Sequence, residues 1–244
     1  MMAIKKKKKL FEGKTKILYE TENPEQIIME FKDNGPSTNG SKKSKAVKRS
    51  AINNQISAHL FRYLESFNVP THFMSQVSES AMLVRRLQII PLEVMVRNIA
   101  TGSFCKRYGL KEGEVLEKPI VEYFMKHTTK DDQMVNQHHI VAFGLATADE
   151  LKMIERYVTK ANAVLKAFFI RRGLRLVDFK LEFGRYKTHL LVGDELSVEN
   201  CRLWDSETGE KFDAERLRSD ASALDKIYEE VRRRVFIQME GEKV

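Results

Sequence analysis

The sequence has few cysteines and no long apolar segment, and both absences exclude whole classes of protein. Its 244 residues contain no run near the ~18 apolar residues that a membrane-spanning helix needs. The first residues lack the apolar stretch of a secretory signal, so we expect a cytoplasmic protein without membrane contact. The two cysteines, Cys105 and Cys201, belong to no CxxC pair, which argues against a zinc framework or a disulfide scaffold.

The positive charge is concentrated at one end of the chain. Lysine and arginine number 42 against 34 acidic residues, a net charge of +8, and Lys5 to Lys9 supply five of these charges. We interpret this run as a solvated, mobile chain end. The alternative is a nucleic-acid-binding module, which would interleave basic residues with exposed aromatic ones. No such interleaving accompanies the lysines, so we expect no nucleic-acid partner.

Apolar periodicity predicts strands in the first third of the chain and long helices later. Thr147 and Glu150 form a capping-box pattern before an apolar stripe that ends near Arg172. Further helices are predicted over residues 44–66 and 222–239. Strands are predicted over residues 10–19, 27–31, 72–77, 81–86 and 87–96. Because strands and helices do not alternate regularly, we expect an α+β fold.

The most informative segment is LRLVDFKLEFG, residues 174–184. Strand alternation puts Val177, Phe179 and the next alternate residues on one apolar face. Asp178, Lys180 and Glu182 then share the other face. Carboxylates in this pattern can hold Mg²⁺, and a lysine can neutralise a transferring phosphate oxygen. The alternative is a salt-bridge ladder on the protein surface.

A second acidic residue belongs to this site only under one condition. Asp194 lies in VGDELS, on what we predict to be the returning strand of a hairpin. It joins the face of Asp178 if the turn near residues 184–187 has a suitable length or a bulge.

The run IIPLEVMVRNIATGS carries groups that suit a phosphate. Its apolar strand delivers Glu93 and Arg97, and Ser103 opens a short predicted helix. Free N–H groups and a hydroxyl at a helix start can bind phosphate, and an arginine can add a bidentate contact. An ordinary helix cap with an ion-paired arginine is the alternative.

The EGKTK segment also suits a phosphate. Lys14 and Lys16 share one face of the predicted strand, and Gly13 beside them lets backbone approach a triphosphate. This is not a Walker A loop, which needs GxxxxGK[ST]. Lysines that protect an edge strand from aggregation are the alternative.

Together these segments resemble the SAICAR synthetase family. The resemblance is carried, in order over nearly the whole chain, by GKTK, VPTHF, IIPLEVMVRNIATGS, LVDFKLEFG and VGDELSVENCRLWD. It implies a two-lobed α+β fold with ATP bound between the lobes, as in kinases and ATP-grasp enzymes. The N-terminal β-rich nucleotide-binding lobe would span residues 1–88, and the substrate- and metal-binding lobe residues 89–244.

The resemblance also implies a reaction and its participants. ATP and Mg²⁺ would be used to join L-aspartate to carboxyaminoimidazole ribonucleotide (CAIR), giving the succinocarboxamide SAICAR, ADP and phosphate in purine biosynthesis. The protein would be a homodimer. A related small-molecule kinase, which releases ADP without aspartate, is the alternative within enzymes.

Site residues are carried over by their position in the matching motifs. For the nucleotide, the resemblance implies that Lys14 and Lys16 contact the ATP phosphates, that Ile89 and Glu93 lie on the adenine side, and that Lys126 is a further contact. For the metal, it implies that Glu182 and Asp194 bind Mg²⁺. For the substrate, it implies that Asp178 and Lys180 lie at the reacting carboxylate and that Arg97, Ser103 and Arg202 bind the 5′-phosphate. The loops at 33–40 and 127–137 depart from the family pattern, with Gln133 and Gln137 in place of Pro and Glu. These departures leave the role of Asp132 toward aspartate open.

Overall fold

The computed structural model describes residues 4–33, 48–126, 132–212 and 221–237. Its strands are β1 (Lys9–Glu12), β2 (Lys16–Glu20), β3 (Gln26–Phe31), β4 (Phe73–Ser78), β5 (Ala81–Arg85), β6 (Gln88–Ile99), β7 (Val115–Met125), β8 (Gln133–Val135), β9 (Leu174–Tyr186), β10 (His189–Gly193), β11 (Cys201–Asp205) and β12 (Lys211–Phe212). Its helices are α1 (Arg49–Ser66), α2 (Ser103–Tyr108), α3 (Gln137–Ala142), α4 (Ala148–Ile170) and α5 (Ala221–Val235).

The described strands form two antiparallel sheets. The first has the order β1-β2-β3-β5-β4 and packs against α1. The second has the order β12-β11-β9-β6-β7-β8, with β10 paired to β9, and packs against α4. Helices beside antiparallel sheets confirm the predicted α+β class.

The change from the first sheet to the second falls between Arg85 and Gln88, next to the predicted lobe boundary. One continuous apolar core nevertheless joins Met29 of the first sheet to Phe179 of the second. The C-terminal helix α5 packs against α1 of the first half. The division into lobes at residue 88 therefore stays a prediction.

Helix α4 begins and ends as its sequence predicts. The Thr147 hydroxyl accepts a hydrogen bond from the N–H of Glu150 at 3.1 Å, and the Glu150 carboxylate accepts one from the N–H of Thr147 at 2.8 Å. Beyond the helix, Gly173 adopts a φ of 68°, which a glycine tolerates without strain. Phe168 and Phe169 on the apolar stripe are buried in the core.

Residues 10–19 do not form the single strand that we predicted. They form a β1–β2 hairpin, closed where the N–H of Gly13 donates to the carbonyl of Lys16 at 2.9 Å. We predicted one continuous strand because apolar residues lie on both sides of the turn, although the glycine of Gly-Lys-Thr is typical of turns. Lys14 consequently lies exposed in the turn, and Lys16 begins β2, so the two lysines do not share a strand face.

The side chains of Lys5 to Lys9 are exposed, as we expected of a solvated run, but the backbone of this run is hydrogen-bonded. The N–H of Lys7 donates to the carbonyl of Glu20 at 2.8 Å, and the N–H of Glu20 donates to the carbonyl of Lys8 at 2.9 Å. The Lys6 ammonium lies 2.5 Å from Glu30. The run extends the β1–β2 pairing because the edge of β2 offers unpaired backbone groups.

Some predictions fall outside the described residues. These are the first part of the helix over 44–66, the end of the helix over 222–239, and residues 34–40 and 127–131 of the two loops that depart from the family pattern. Among the described residues, no helix is both long and apolar enough to cross a membrane.

Candidate active site

Strand β9 and its neighbour β6 bring the predicted charged residues onto one face. Their register places Asp178 opposite Arg97, and Glu182 opposite Glu93. The Lys180 ammonium crosses to Glu93, at 3.0 Å from its carboxylate, and keeps 39% of its side chain exposed. The alternation that we read from the sequence thus holds from Asp178 to Glu182.

The alternation fails one residue earlier, at Val177. Strand β11 pairs Arg202 with Asp178 but Leu203 with Leu176, so Val177 is an extra residue in β9. Such a bulge reverses the faces on its two sides. Val177 therefore packs with Ile99 and Trp204 in a separate cluster, and the prediction that it shares the apolar face of Phe179 is wrong.

Lys16 links the first sheet to the segment after β10. Its ammonium lies 2.5 Å from Asp194 and 2.8 Å from Glu195, and the Thr15 hydroxyl donates to Glu195 at 3.3 Å. Burial disfavours the charge on Lys16, but the two carboxylates raise its pKa above the ordinary value. Burial also opposes ionisation of Asp194, yet the charge and hydrogen bond of Lys16 hold its pKa below the usual range.

Glu182 and Asp194 form an acidic pair flanked by lysines. Glu182 opposes Gly193 in the regular register of the β9–β10 hairpin, so strand alternation alone would turn Asp194 to the other face. The condition on the hairpin turn is therefore not met, and Asp194 comes close to Glu182 because it leaves the strand with a φ of 59°. Burial and then the charge of Asp194 raise the pKa of Glu182, although Lys126, at 2.6 Å from its carboxylate, acts against this.

The donor set of this pair fits Mg²⁺. That ion commonly takes one or two carboxylates and completes its shell with phosphate oxygens and water. In the described ranges, no group of three or more His, Cys, Asp or Glu side chains is arranged around one point. A two-carboxylate site beside a nucleotide is therefore the arrangement that these residues allow.

A buried network of arginines and carboxylates lies beside Lys180. One oxygen of Asp178 accepts from Arg97 at 3.2 Å and from Arg202 at 3.0 Å. Glu122 accepts from Arg97 at 2.6 Å and from Arg107 at 2.8 Å. Side-chain exposure is 4% for Arg97 and 26% for Arg202, so Arg202 is the more accessible of the two guanidinium groups on Asp178.

The predicted phosphate-binding helix start is close to Arg202. Ser103 begins α2, and Gly102 before it has a φ of 59°. A Cβ on Gly102 would lie 3.9 Å from a guanidinium nitrogen of Arg202. The glycine thus allows the backbone conformation that brings the helix start to the arginine.

The segment around Ile89 connects the two sheets. The pairing register between β6 and β9 shifts between Ile89 and Glu93. Ile89 pairs with Gly184 and Glu93 pairs with Glu182, so β6 has more residues than β9 between these two pairs. Leu87 packs so closely on Gly184 that a Cβ there would lie 2.7 Å from the Leu87 Cβ. Ile89 itself is exposed, and its place beside the adenine stays a prediction.

A cavity of about 670 Å³ lies on the α4 side of the second sheet. Asn98, Asn162 and mainly apolar side chains line it. Since Asn98 follows Arg97 on β6, its side chain faces away from the charged residues. This cavity is therefore separate from the candidate active site.

The sequence reading did not single out three neighbours of the site, namely Glu122, Arg107 and His72. Glu122 stands in the strand-like run KPIVEYF, where an isolated charge could have drawn attention. His72 lies within VPTHF, at the start of the strand predicted over residues 72–77, and no site role was predicted for it. Strand pairing places Glu122 and His72, and helix α2 places Arg107, and a local pattern carries little information about such contacts.

The chain matches the family model for SAICAR synthetase over residues 9–235. The phosphoribosylaminoimidazole-succinocarboxamide synthase of Chlorobium limicola is 48% identical over 229 residues, covering 94% of this chain and 97% of the relative. That of Chloroherpeton thalassium is 45% identical over 233 residues, covering 96% and 99%.

Solved structures agree with the sequence relatives. The crystal structure of phosphoribosylaminoimidazole-succinocarboxamide synthase from Ehrlichia chaffeensis has a TM-score of 0.86 at 35% identity, covering 96% of this chain and all (100%) of that one. A SAICAR synthetase in complex with ADP has a TM-score of 0.85 at 36% identity, covering 95% and 99%. The chain belongs to the SAICAR synthetase family.

Proposed function

We propose that the protein uses ATP to ligate L-aspartate to CAIR, giving SAICAR, ADP and phosphate in de novo purine biosynthesis. The observation that carries this proposal is the charged face on which Lys180 lies between an acidic pair and an arginine network. Family membership over nearly the full length supports it, and so does a relative solved with ADP.

The reaction needs the carboxylate of CAIR to become an electrophile. The γ-phosphoryl group of ATP passes to a carboxylate oxygen, and ADP leaves. The neutral amine of aspartate then attacks the carbonyl carbon, the C–O bond to phosphate breaks, and the amine loses a proton. Positioning and charge stabilisation are the main tasks of the protein in such a transfer.

ATP is assigned to the junction between the two sheets. Lys16, beside Asp194 and Glu195, and the exposed Lys14 would contact its phosphates. Lys126 adds a further cation next to Glu182. The connecting segment at Ile89 and Glu93 would border the adenine.

Glu182 and Asp194 would hold Mg²⁺. When bound, the ion neutralises charge on the phosphate oxygens during transfer. Burial and then the charge of Asp194 raise the pKa of Glu182, so the two carboxylates are close enough to influence each other, whereas, despite burial, the charge of Lys16 lowers the pKa of Asp194. Lys16 and Lys126 offset this acidic charge, which keeps the pair in place.

Lys180 and the arginine network are assigned to CAIR. Lys180, next to Asp178 on β9, would neutralise the reacting carboxylate. Arg202 with Ser103 would bind the 5′-phosphate. We expected Arg97 at the same phosphate, but only 4% of its side chain is exposed and it is paired with Asp178 and Glu122, so we propose instead that it fixes the orientation of these residues.

We also propose a cytoplasmic homodimer, on the basis of the family resemblance. Light scattering during gel filtration tests the dimer, since a dimer has twice the chain mass of 28.3 kDa. A monomeric mass would contradict it.

Product analysis tests the proposed reaction. The purified protein is incubated with ATP, Mg²⁺, CAIR and ¹⁵N-labelled L-aspartate, and the products are analysed by mass spectrometry. The proposal predicts a succinocarboxamide that carries the label and forms in step with ADP. Formation of ADP and a phosphorylated product without label incorporation would favour the kinase alternative.

A further inference from the structure

His72 lies where the first sheet is attached to the strand that precedes Asp194. Thr71 forms a parallel bridge with Val192 of β10. The N–H of His72 donates to the carbonyl of Val192 at 2.8 Å, and the N–H of Val192 donates to the carbonyl of Pro70 at 3.0 Å. The backbone around His72 is thereby fixed two residues from Asp194.

The imidazole of His72 is buried and directed at the same segment. Its ring packs edge-on against Phe61 at 5.4 Å between ring centres. Its Nδ1 lies 3.9 Å from the place of a Cβ on Gly193, so this nitrogen faces the backbone that leads into Asp194. Asp194 has a φ of 59°, a left-handed conformation that is uncommon for residues other than glycine. A contact that holds this conformation also holds the direction of the Asp194 side chain.

The other ring nitrogen gives the ring no further support. Nε2 of His72 is buried and has no hydrogen-bond partner. A neutral imidazole has one donor and one acceptor nitrogen, so one of the two is left without a partner here. A leucine would fill the same place without an unpaired polar atom. Packing alone therefore does not account for a histidine here, whereas the contact to Asp194 does.

We propose that His72 is a positioning residue for the divalent cation, its Nδ1 holding Asp194 in the left-handed conformation that directs the carboxylate toward Glu182 and Lys16. This inference rests on the proposed function in that Asp194 is taken as a metal ligand. His72 would touch neither substrate nor metal, and it would act through the backbone of Asp194.

Three substitutions separate positioning from packing. In His72→Asn the amide nitrogen takes the place of Nδ1, in His72→Gln it takes the place of Nε2, and in His72→Leu no donor remains. The readout is Mn²⁺ affinity in the presence of ADP, followed by electron paramagnetic resonance, which requires no ligation. Melting temperatures of the metal-free proteins are measured alongside.

We expect His72→Leu and His72→Gln to weaken Mn²⁺ binding by about 10-fold or more, the usual effect of removing an outer-shell partner. His72→Asn is expected to retain most of the affinity, and His72→Leu to melt no lower than the wild type. Unchanged Mn²⁺ affinity in His72→Leu and His72→Gln would overturn the inference. Equal losses in the Asn and Gln variants would also overturn it, and this comparison remains available if the Leu variant does not fold. A wild type that binds Mn²⁺ with ADP but forms no SAICAR would contradict the proposed function alone.

Discussion

The ammonium of Lys16 lies 2.5 Å from the carboxylate of Asp194, and this ion pair joins the two sheets at the candidate active site. Lys16 begins β2, directly after the hairpin turn that follows β1, and Asp194 directly follows β10. Two local turns thus set the position of a contact between residues that are 178 positions apart.

The first prediction compares the two lysines of the EGKTK segment. Lys16→Met should lower kcat/KM for ATP by about 100-fold, as when a preorganised donor to transition-state charge is removed. Lys14→Met should have a smaller effect, because Lys14 lies exposed in the turn. Steady-state kinetics with varied ATP measure both. A larger loss in the Lys14 variant would contradict the assignment of the phosphates to the Lys16 junction.

The second prediction concerns Lys180. Lys180→Ala should abolish ligation because no other cation is assigned to the reacting carboxylate. Its melting temperature should stay close to that of the wild type, since 39% of the side chain is exposed. Lys152→Ala, which removes a more exposed lysine paired with Asp149, is the control and should retain full activity. Near-normal turnover of a folded Lys180→Ala protein would refute the site assignment.

The third prediction separates the two arginines that share Asp178. Arg97→Met should destabilise the protein by about 3–5 kcal/mol, because it takes one of two arginine partners from each of two buried carboxylates, Asp178 and Glu122. Arg202→Met should chiefly raise KM for CAIR, by about 10- to 100-fold, through loss of a charged hydrogen bond. Urea unfolding and kinetics measure the two effects. The same stability loss in both variants, with KM unchanged, would contradict the proposed phosphate contact.

The fourth prediction is a pH dependence at the start of α4. Arg185 binds Glu150 through two nitrogens, at 2.5 and 2.9 Å, and this hydrogen bonding lowers the pKa of Glu150 from 4.5 to about 2. A carboxylate whose pKa is lower in the folded state stabilises the fold above its unfolded pKa. That contribution is lost as the pH falls from about 4.5 toward 2.

Glu150→Gln isolates this ion pair, because glutamine preserves the capping box with Thr147. At pH 7 we expect the free energy of unfolding to fall by about 1 kcal/mol. The difference from the wild type should narrow as the pH drops below 4.5. Urea unfolding at several pH values measures it, and a difference independent of pH would show that the ion pair is not its source.

The fifth prediction tests the connection between the sheets. Gly184→Ala should destabilise the protein by about 1–3 kcal/mol, because its Cβ would meet the Cβ of Leu87 at 2.7 Å. Gly13→Ala is the matched control, since its Cβ would lie 3.0 Å from the ring of the exposed Phe11 and at an ordinary 3.7 Å from the carbonyl oxygen of Lys16. We expect the control to change stability by less than about 0.5 kcal/mol. Equal stability of the two variants, measured by urea unfolding, would contradict the close packing at Leu87.

Local patterns predicted much of this fold. The capping box at Thr147 and the charged alternation from Asp178 to Glu182 depend on near neighbours in sequence, and the structure has both. The β1–β2 turn and the bulge at Val177 were missed. A turn inside an apolar run and an extra residue in a strand change which residues pair across neighbouring strands and which face their side chains lie on. A single sequence contains little information about this pairing.

Contacts between residues far apart in sequence were the least predictable part of the site. Glu122 reaches Arg97 from the neighbouring strand β7, and His72 meets Asp194 only because the Pro70–His72 segment pairs with β10. The local sequence around Glu122 or His72 does not predict which residue either of them contacts. The sequence therefore predicted which groups carry charge at the site, but not which groups hold them in place.

The measurement that tests the central claim most directly is ADP release by the purified protein with ATP, Mg²⁺ and CAIR, with and without L-aspartate. The account predicts sustained ADP release that depends on aspartate and matches SAICAR formation. ADP release at the same rate without aspartate would contradict the ligase assignment and favour a kinase. Absence of release under both conditions would contradict catalysis at the charged face that joins Lys16, Lys180 and Asp194.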